Sequence, residues 1–181
     1  MKLVSAVVMT GLLSPLASAD MVISSDDIRA AELMPKAQEF SGFGCDGGNQ
    51  SPHLSWSGAP EGTQAYAVFA YDPDAPTGSG WWHWQLVNLP ATTTTLAAGA
   101  GAADNTALPP GSMQMRNDYG AHAFGGACPP AGDKAHRYQF TVFALKQKLE
   151  LPADASAALT GYMVNANALD SVTLEALYQR D

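Results

Sequence analysis

The chain has 181 residues, 46% of them hydrophobic and 14% charged, with 9 Lys and Arg against 17 Asp and Glu. That apolar content excludes a disordered chain, and the length suits one ordinary domain with a substantial core. A net charge of −8 with no basic cluster disfavours nucleic acid and anionic membrane surfaces as partners of the whole protein.

In chain order, Lys2 precedes an apolar run broken by Ser14 and Pro15, and Ala17-Ser18-Ala19 supplies the small-x-small pattern of a signal-peptidase site. The run is too short for a membrane anchor. Residues 1–19 are therefore expected to be a cleaved signal peptide, with the mature chain starting near Asp20 in the periplasm or outside the cell. Residues 20–181 are expected to form a single domain.

Val22-Ile23 predicts a first strand and the region near Met34 a second. Gly42 to Ser51 predicts a polar, Gly-rich loop. Leu54 and Trp56 alternate with serines, as on a half-buried strand, until Pro60-Glu61-Gly62 turns the chain. Ala65 to Tyr71 predicts a core strand that stops at Asp72-Pro73-Asp74-Ala75-Pro76, where two prolines forbid a ladder. Trp82 to Leu89 predicts another, ended by Pro90. Thr92 to Pro110 reads as a surface excursion, residues 114–116 as a brief strand, and Asn117 to Lys134 as a second long loop. From His136 to Leu145 the period is two, with Tyr138, Phe140, Val142 and Ala144 on one face. Pro152 to about Ala168 predicts the one helix, capped by Asp154 or Ser156, with Leu159, Met163 and Ala166 on its inner face. Val172 to Tyr178 fits either a strand or a short helix.

Two cysteines remain after the leader, Cys45 and Cys128. In an exported chain an even count favours pairing, and a bond across 83 positions stabilises by about 4–5 kcal/mol in the chain-entropy model. Neither their spacing nor nearby histidines suggest a zinc site, and no cofactor is implied.

Asp72, His83 and His136 each stand at a predicted strand end, where one sheet edge can collect them. Two imidazoles offer N–H donors, a carboxylate fixes the tautomer of one ring, and the amides of Phe124-Gly125-Gly126-Ala127-Cys128 can complete an anion cradle. Because an anion favours imidazolium, affinity is expected to rise as pH falls.

Asp72-Pro73-Asp74-Ala75-Pro76 with Trp82-His83-Trp84 resembles the first signature of the phosphatidylethanolamine-binding protein family. Cys128-Pro129-Pro130-Ala131-Gly132 with His136-Arg137-Tyr138 resembles the second. Asn49 to Trp56 and Asn117-Asp118-Tyr119-Gly120 match flanking elements, and Thr77 to Trp84 is close to the bacterial YbhB/YbcL branch, the Raf kinase inhibitor-like proteins. The resemblance implies a mainly β fold: a central antiparallel Greek-key sheet, a smaller second sheet and a helix near the C-terminus. It implies a pocket for phosphate, acetate or a phosphorylated head group, lined by Asp72, Pro76, His83, Pro129, Pro130, His136 and Tyr138. It further implies one cis X-Pro bond in the Pro76 loop and an inhibitory or regulatory role toward protein partners. A separate reading takes the site as vestigial and the protein as an interaction surface in a homodimer, with the Thr92 to Pro110 excursion available to a partner. Two positions depart from the family pattern: Ala127 stands where Pro is usual and Phe124 where Tyr is usual. Trp81 and Trp82 are expected to wall the pocket, Trp84 to be core, His53 to support the site from behind and His122 to stay in solvent. The expectation is a binding module and not an enzyme. The alternative is a hydrolase that pairs Asp72 with His83, although no nucleophile elbow or HExxH spacing accompanies them.

Overall fold

The computed structural model describes residues 20–181, so the signal-peptide expectation lies outside the described residues. The strands are β1 (Val22–Ser24), β2 (Ser41–Gly42), β3 (Cys45–Asp46), β4 (Leu54–Ser57), β5 (Ala65–Asp72), β6 (Trp81–Pro90), β7 (Thr95–Leu96), β8 (Met113–Gln114), β9 (His136–Leu145) and β10 (Ala168–Tyr178). A single α-helix among the described residues, α1 (Ala157–Asn167), leads directly into β10.

Five strands form a central antiparallel sheet in the order β10-β9-β5-β6-β8, and β1-β4-β7 form a smaller sheet. The period-two strands explain the layering. Even positions of β5 and β9 (Tyr66, Val68, Ala70, Tyr138, Phe140, Val142) join Leu54 and Trp56 of the smaller sheet in one core. Odd positions of β5 (Ala65, Ala67, Phe69) pack with Val87, Leu149 and the helix residue Val164 in a second core. Full burial of one such large side chain stabilises by about 1.5–3 kcal/mol.

Two β-bulges break the parity of β6. Between Ala70 and Tyr71 the register passes from Trp84 to Trp82, which makes His83 the extra residue. Trp84 therefore enters the first core while Trp82 packs on the second, against Phe69 and Tyr71. The other bulge places Asn88 at φ 61°, where its side chain clasps the backbone of Leu149.

Three expectations are corrected, in whole or in part, and two open alternatives, the tail and the helix cap, are decided. The region near Met34 forms only a backbone bridge to the edge of β10, because Pro35 ends extended pairing. The tail is strand β10. The helix starts one residue after the cap Ser156, whose Oγ accepts Leu159 N–H at 3.1 Å. Its buried residues are Thr160, Gly161, Val164 and Asn167, leaving Leu159 42% exposed, because that rotation seats Val164 in the second core. No cis peptide bond occurs among the described residues. The Pro76 loop is closed instead by the Asp72 carboxylate, whose Oδ1 accepts the amides of Asp74 at 2.8 Å and Ala75 at 3.1 Å.

Candidate functional site

Because β9, β5 and β6 are neighbours, the end of β5, the start of β6 and the start of β9 meet at one sheet edge. Asp72, His83 and His136 converge there with Tyr138, and these four are only 2–3% exposed. They floor a cavity of about 230 Å³. Its rim is built by Phe43, Pro76, Thr77, Trp81, Tyr119, Pro129 and Pro130. Asp72, Pro76, His83, Pro129, Pro130, His136 and Tyr138 all line it, and of the two tryptophans expected at its wall only Trp81 does. Phe43 and Tyr119 were not expected as lining residues.

Asp72 Oδ2 accepts the Nδ1–H of His136 at 2.8 Å, the carboxylate–imidazole pair expected from the sequence. His83 is held differently. The bulge turns its Nδ1–H onto two backbone carbonyls, Gly125 O at 2.8 Å and Gly126 O at 3.1 Å. Carbonyls only accept, so this contact fixes the Nδ1–H tautomer and leaves Nε2 as the remaining ring nitrogen. His136 likewise keeps Nε2, which lies 3.6 Å from Asp133 Oδ2. Burial pushes the His83 pKa down, opposed by the carbonyl contacts and by the charges of Asp72 and Asp118.

Tyr138 Oη is buried without a hydrogen-bond partner among the described residues, as is Trp81 Nε1. Burial, and then the nearby Asp72 charge, push the Tyr138 phenol far above its usual range, so it stays a donor at any working pH. The loop beside the floor is locked by Asp74, which takes three hydrogen bonds from Arg137, each at 2.9 Å. Those bonds hold its carboxyl down at about 2.

The Gly-rich turn does not form the expected amide cradle. Phe124 N–H donates to Gly101 O, Gly125 N–H to His83 O, Gly126 N–H to Asn49 Oδ1 and Ala127 N–H to Gln38 O. These four amides each close a contact inside the protein, and the turn serves the site through the Gly125 and Gly126 carbonyls. The Ala127 departure gains meaning here, since a proline would lack the N–H given to Gln38. Phe124 packs edge-on against Trp84, with ring centroids 5.9 Å apart, where no hydroxyl partner is needed.

Trp81 is at the wall, but Trp82 is not, for the parity reason above. His53 lies outside the pocket: its backbone N–H donates to Asp27 Oδ2, and its ring contacts the Asp26 N–H and Thr95 Oγ1. His122 is exposed, its Nδ1 3.0 Å from Gln114 O. Cys45 and Cys128 form the disulfide, with Cα atoms 6.0 Å apart, and tie β3 to the Pro129-Pro130 rim. Among the described residues no cluster of three or more His, Cys, Asp or Glu is arranged to hold a metal ion.

The model of the phosphatidylethanolamine-binding protein family matches residues 24–179, and the chain belongs to that family. It is similar to the UPF0098 protein YbcL of Escherichia coli K12, 54% identical over 158 residues that span 87% of this chain and 86% of that one. YbhB of the same organism is 45% identical over 159 residues, spanning 87% of this chain and 99% of that one. The crystal structure of E. coli YbcL matches with TM-score 0.88 at 53% identity, covering 90% of this chain and 100% of that one. A phosphatidylethanolamine-binding protein homologue from Chlamydia trachomatis matches with TM-score 0.75 at 26% identity, covering 91% and 100%.

Proposed function

We propose that this chain is an exported binding module that holds phosphate, a phosphorylated head group or a comparable carboxylate on the floor of the pocket. The observation that carries the reading is the set of polar atoms that no hydrogen bond among the described residues takes: Tyr138 Oη, and the Nε2 atoms of His83 and His136, the last with the half-exposed Asp133 carboxylate 3.6 Å away for an anion to displace. An anion supplies acceptors for all three. Asp72 does not compete for the anion, because its two oxygens are taken by His136 and by the Asp74 and Ala75 amides.

The tautomers make binding proton-linked. With Nδ1–H committed, a neutral ring turns a lone pair toward the anion, and only an imidazolium donates from Nε2. Binding therefore takes up protons, and affinity rises as pH falls. The hydrolase alternative needed Asp72 beside His83, whereas Asp72 pairs with His136, and Cys128 is bonded to Cys45. Binding without turnover, with any protein partner or second copy engaged through another surface, is the reading we adopt.

Crystals soaked in phosphate test it. The expected result is tetrahedral density bounded by His83, His136 and Tyr138, absent from crystals of a His83→Ala/His136→Ala variant. An empty floor at saturating phosphate, or equal density in the variant, sinks the proposal.

A further inference from the structure

The rim carries an aromatic residue that its own backbone disfavours. β2 and β3 pair Gly42 with Cys45, so Phe43 and Gly44 form a two-residue hairpin turn, with φ of 52° and 83°. Left-handed φ at both positions is the geometry that selects Asn-Gly, and a bulky side chain at the first position is an outlier. Phe43 is also 76% exposed, so burial does not compensate.

The hairpin is nonetheless rigidly presented. The Cys45–Cys128 bond crosses its base. Arg180 Nη1 donates to Gly44 O at 2.8 Å while its Nε donates to Pro129 O at 2.9 Å, clamping the hairpin to the opposite segment of the rim. The Phe43 ring lies 5.9 Å from Phe40 and 5.7 Å from Tyr119, centroid to centroid, and lines the mouth of the pocket beside Trp81, Pro76 and Pro130. A strained, exposed and firmly held aromatic over a polar floor has a physical reason to exist when a ligand covers it.

We propose that Phe43 is a specificity-determining residue, whose ring packs on a flat apolar substituent carried by the anion. The ligand class is then a phosphate monoester, or a similar anion, with an aromatic or equally flat apolar group. This inference rests on the anion-binding reading above. An ammonium group would address Trp81, the stronger cation–π partner on the same rim, and not Phe43, so the two ligand classes are separated by which probe Phe43 favours.

The test compares inorganic phosphate, phosphoethanolamine and phenyl phosphate on the mature, oxidised protein and on Phe43→Asn. The wild type is expected to bind phenyl phosphate about tenfold tighter than the other two, a gain in keeping with one buried aromatic contact. Phe43→Asn suits the turn better, so it should melt no lower than wild type and hold inorganic phosphate within about twofold, while losing most of the tenfold preference. Equal wild-type affinities for the three probes, or a preference that survives in Phe43→Asn, overturn the inference. Tighter phosphoethanolamine binding assigns the rim to an ammonium group and also overturns it. A variant that melts lower and loses phosphate as well makes Phe43 a structural pin, again against the inference. A wild type that binds no phosphate rejects the anion reading itself, so the two failures are told apart.

Discussion

Two single atoms separate a structural from a binding role for the floor. Tyr138 Oη is buried with no partner among the described residues, which costs about 1–3 kcal/mol wherever it is not satisfied. Tyr138→Phe should therefore melt at the same temperature as wild type or higher, yet bind phosphate several-fold more weakly in a fluorescence or calorimetric titration. A variant that loses both stability and affinity would place the hydroxyl in the fold. His83 gives the pH counterpart. Its pKa in the folded protein is depressed below 6.5, chiefly by burial, so the unfolded chain takes the proton more readily. Its contribution to stability is full above pH 6.5 and is lost as pH falls from there through the lower folded value. Denaturant midpoints should drop over that acid window, and less so when phosphate is present, because the bound anion restores the proton affinity of the ring. In His83→Gln that pH-dependent loss should shrink.

At the scale of elements, the strand ends around Asp72 and His136 were legible because prolines and period-two alternation mark where ladders stop. His83 was legible as a residue but not in its setting. Trp82-His83-Trp84 reads as simple alternation, and only pairing with β5 reveals the bulge that separates the two tryptophans. The helix was legible, but its inner face only in part: Met163 packs on the second core as expected, whereas Leu159 and Ala166 are exposed and docking on the sheet buries Val164 instead. The Gly125-Gly126 turn was read as a donor of amides because sequence carries no record of tertiary partners. Its glycines answer to packing: a Cβ on Gly125 would lie 2.4 Å from Tyr119 Cδ2 and 2.8 Å from Cε2. Gly125→Ala should displace the Tyr119 wall, break its 3.9 Å stack on Phe40 and cost about 1–3 kcal/mol in chemical denaturation. A variant of wild-type stability with an unchanged near-ultraviolet aromatic signal would contradict that packing.

Over the whole molecule, the two layers are held by apolar burial, while the pocket wall hangs on two segments far apart in sequence. Phe43 lies on a two-residue hairpin with no periodic pattern to announce it, which is why its place in the rim was not legible. The cross-link that holds it was legible from the even cysteine count together with the expectation of export. The Cys45–Cys128 bond closes 83 positions, so Cys45→Ser/Cys128→Ser should lose about 4–5 kcal/mol of stability in the chain-entropy limit, with the same fold by far-ultraviolet dichroism. Two titratable thiols in the unfolded, unreduced wild type would contradict the bond outright.

The proposed site is a buried floor of His83, His136 and Tyr138 that takes up an anion together with protons. Isothermal titration of the mature protein with phosphate at pH 6 and pH 8, each in two buffers of different ionisation enthalpy, measures both halves at once. One site per chain, tighter binding at pH 6 and a buffer-dependent heat at pH 8 that reports proton uptake are expected. His83→Ala/His136→Ala should abolish the signal. Binding that is equally tight at both pH values with no buffer dependence, or saturable binding that persists in the double variant, would contradict it.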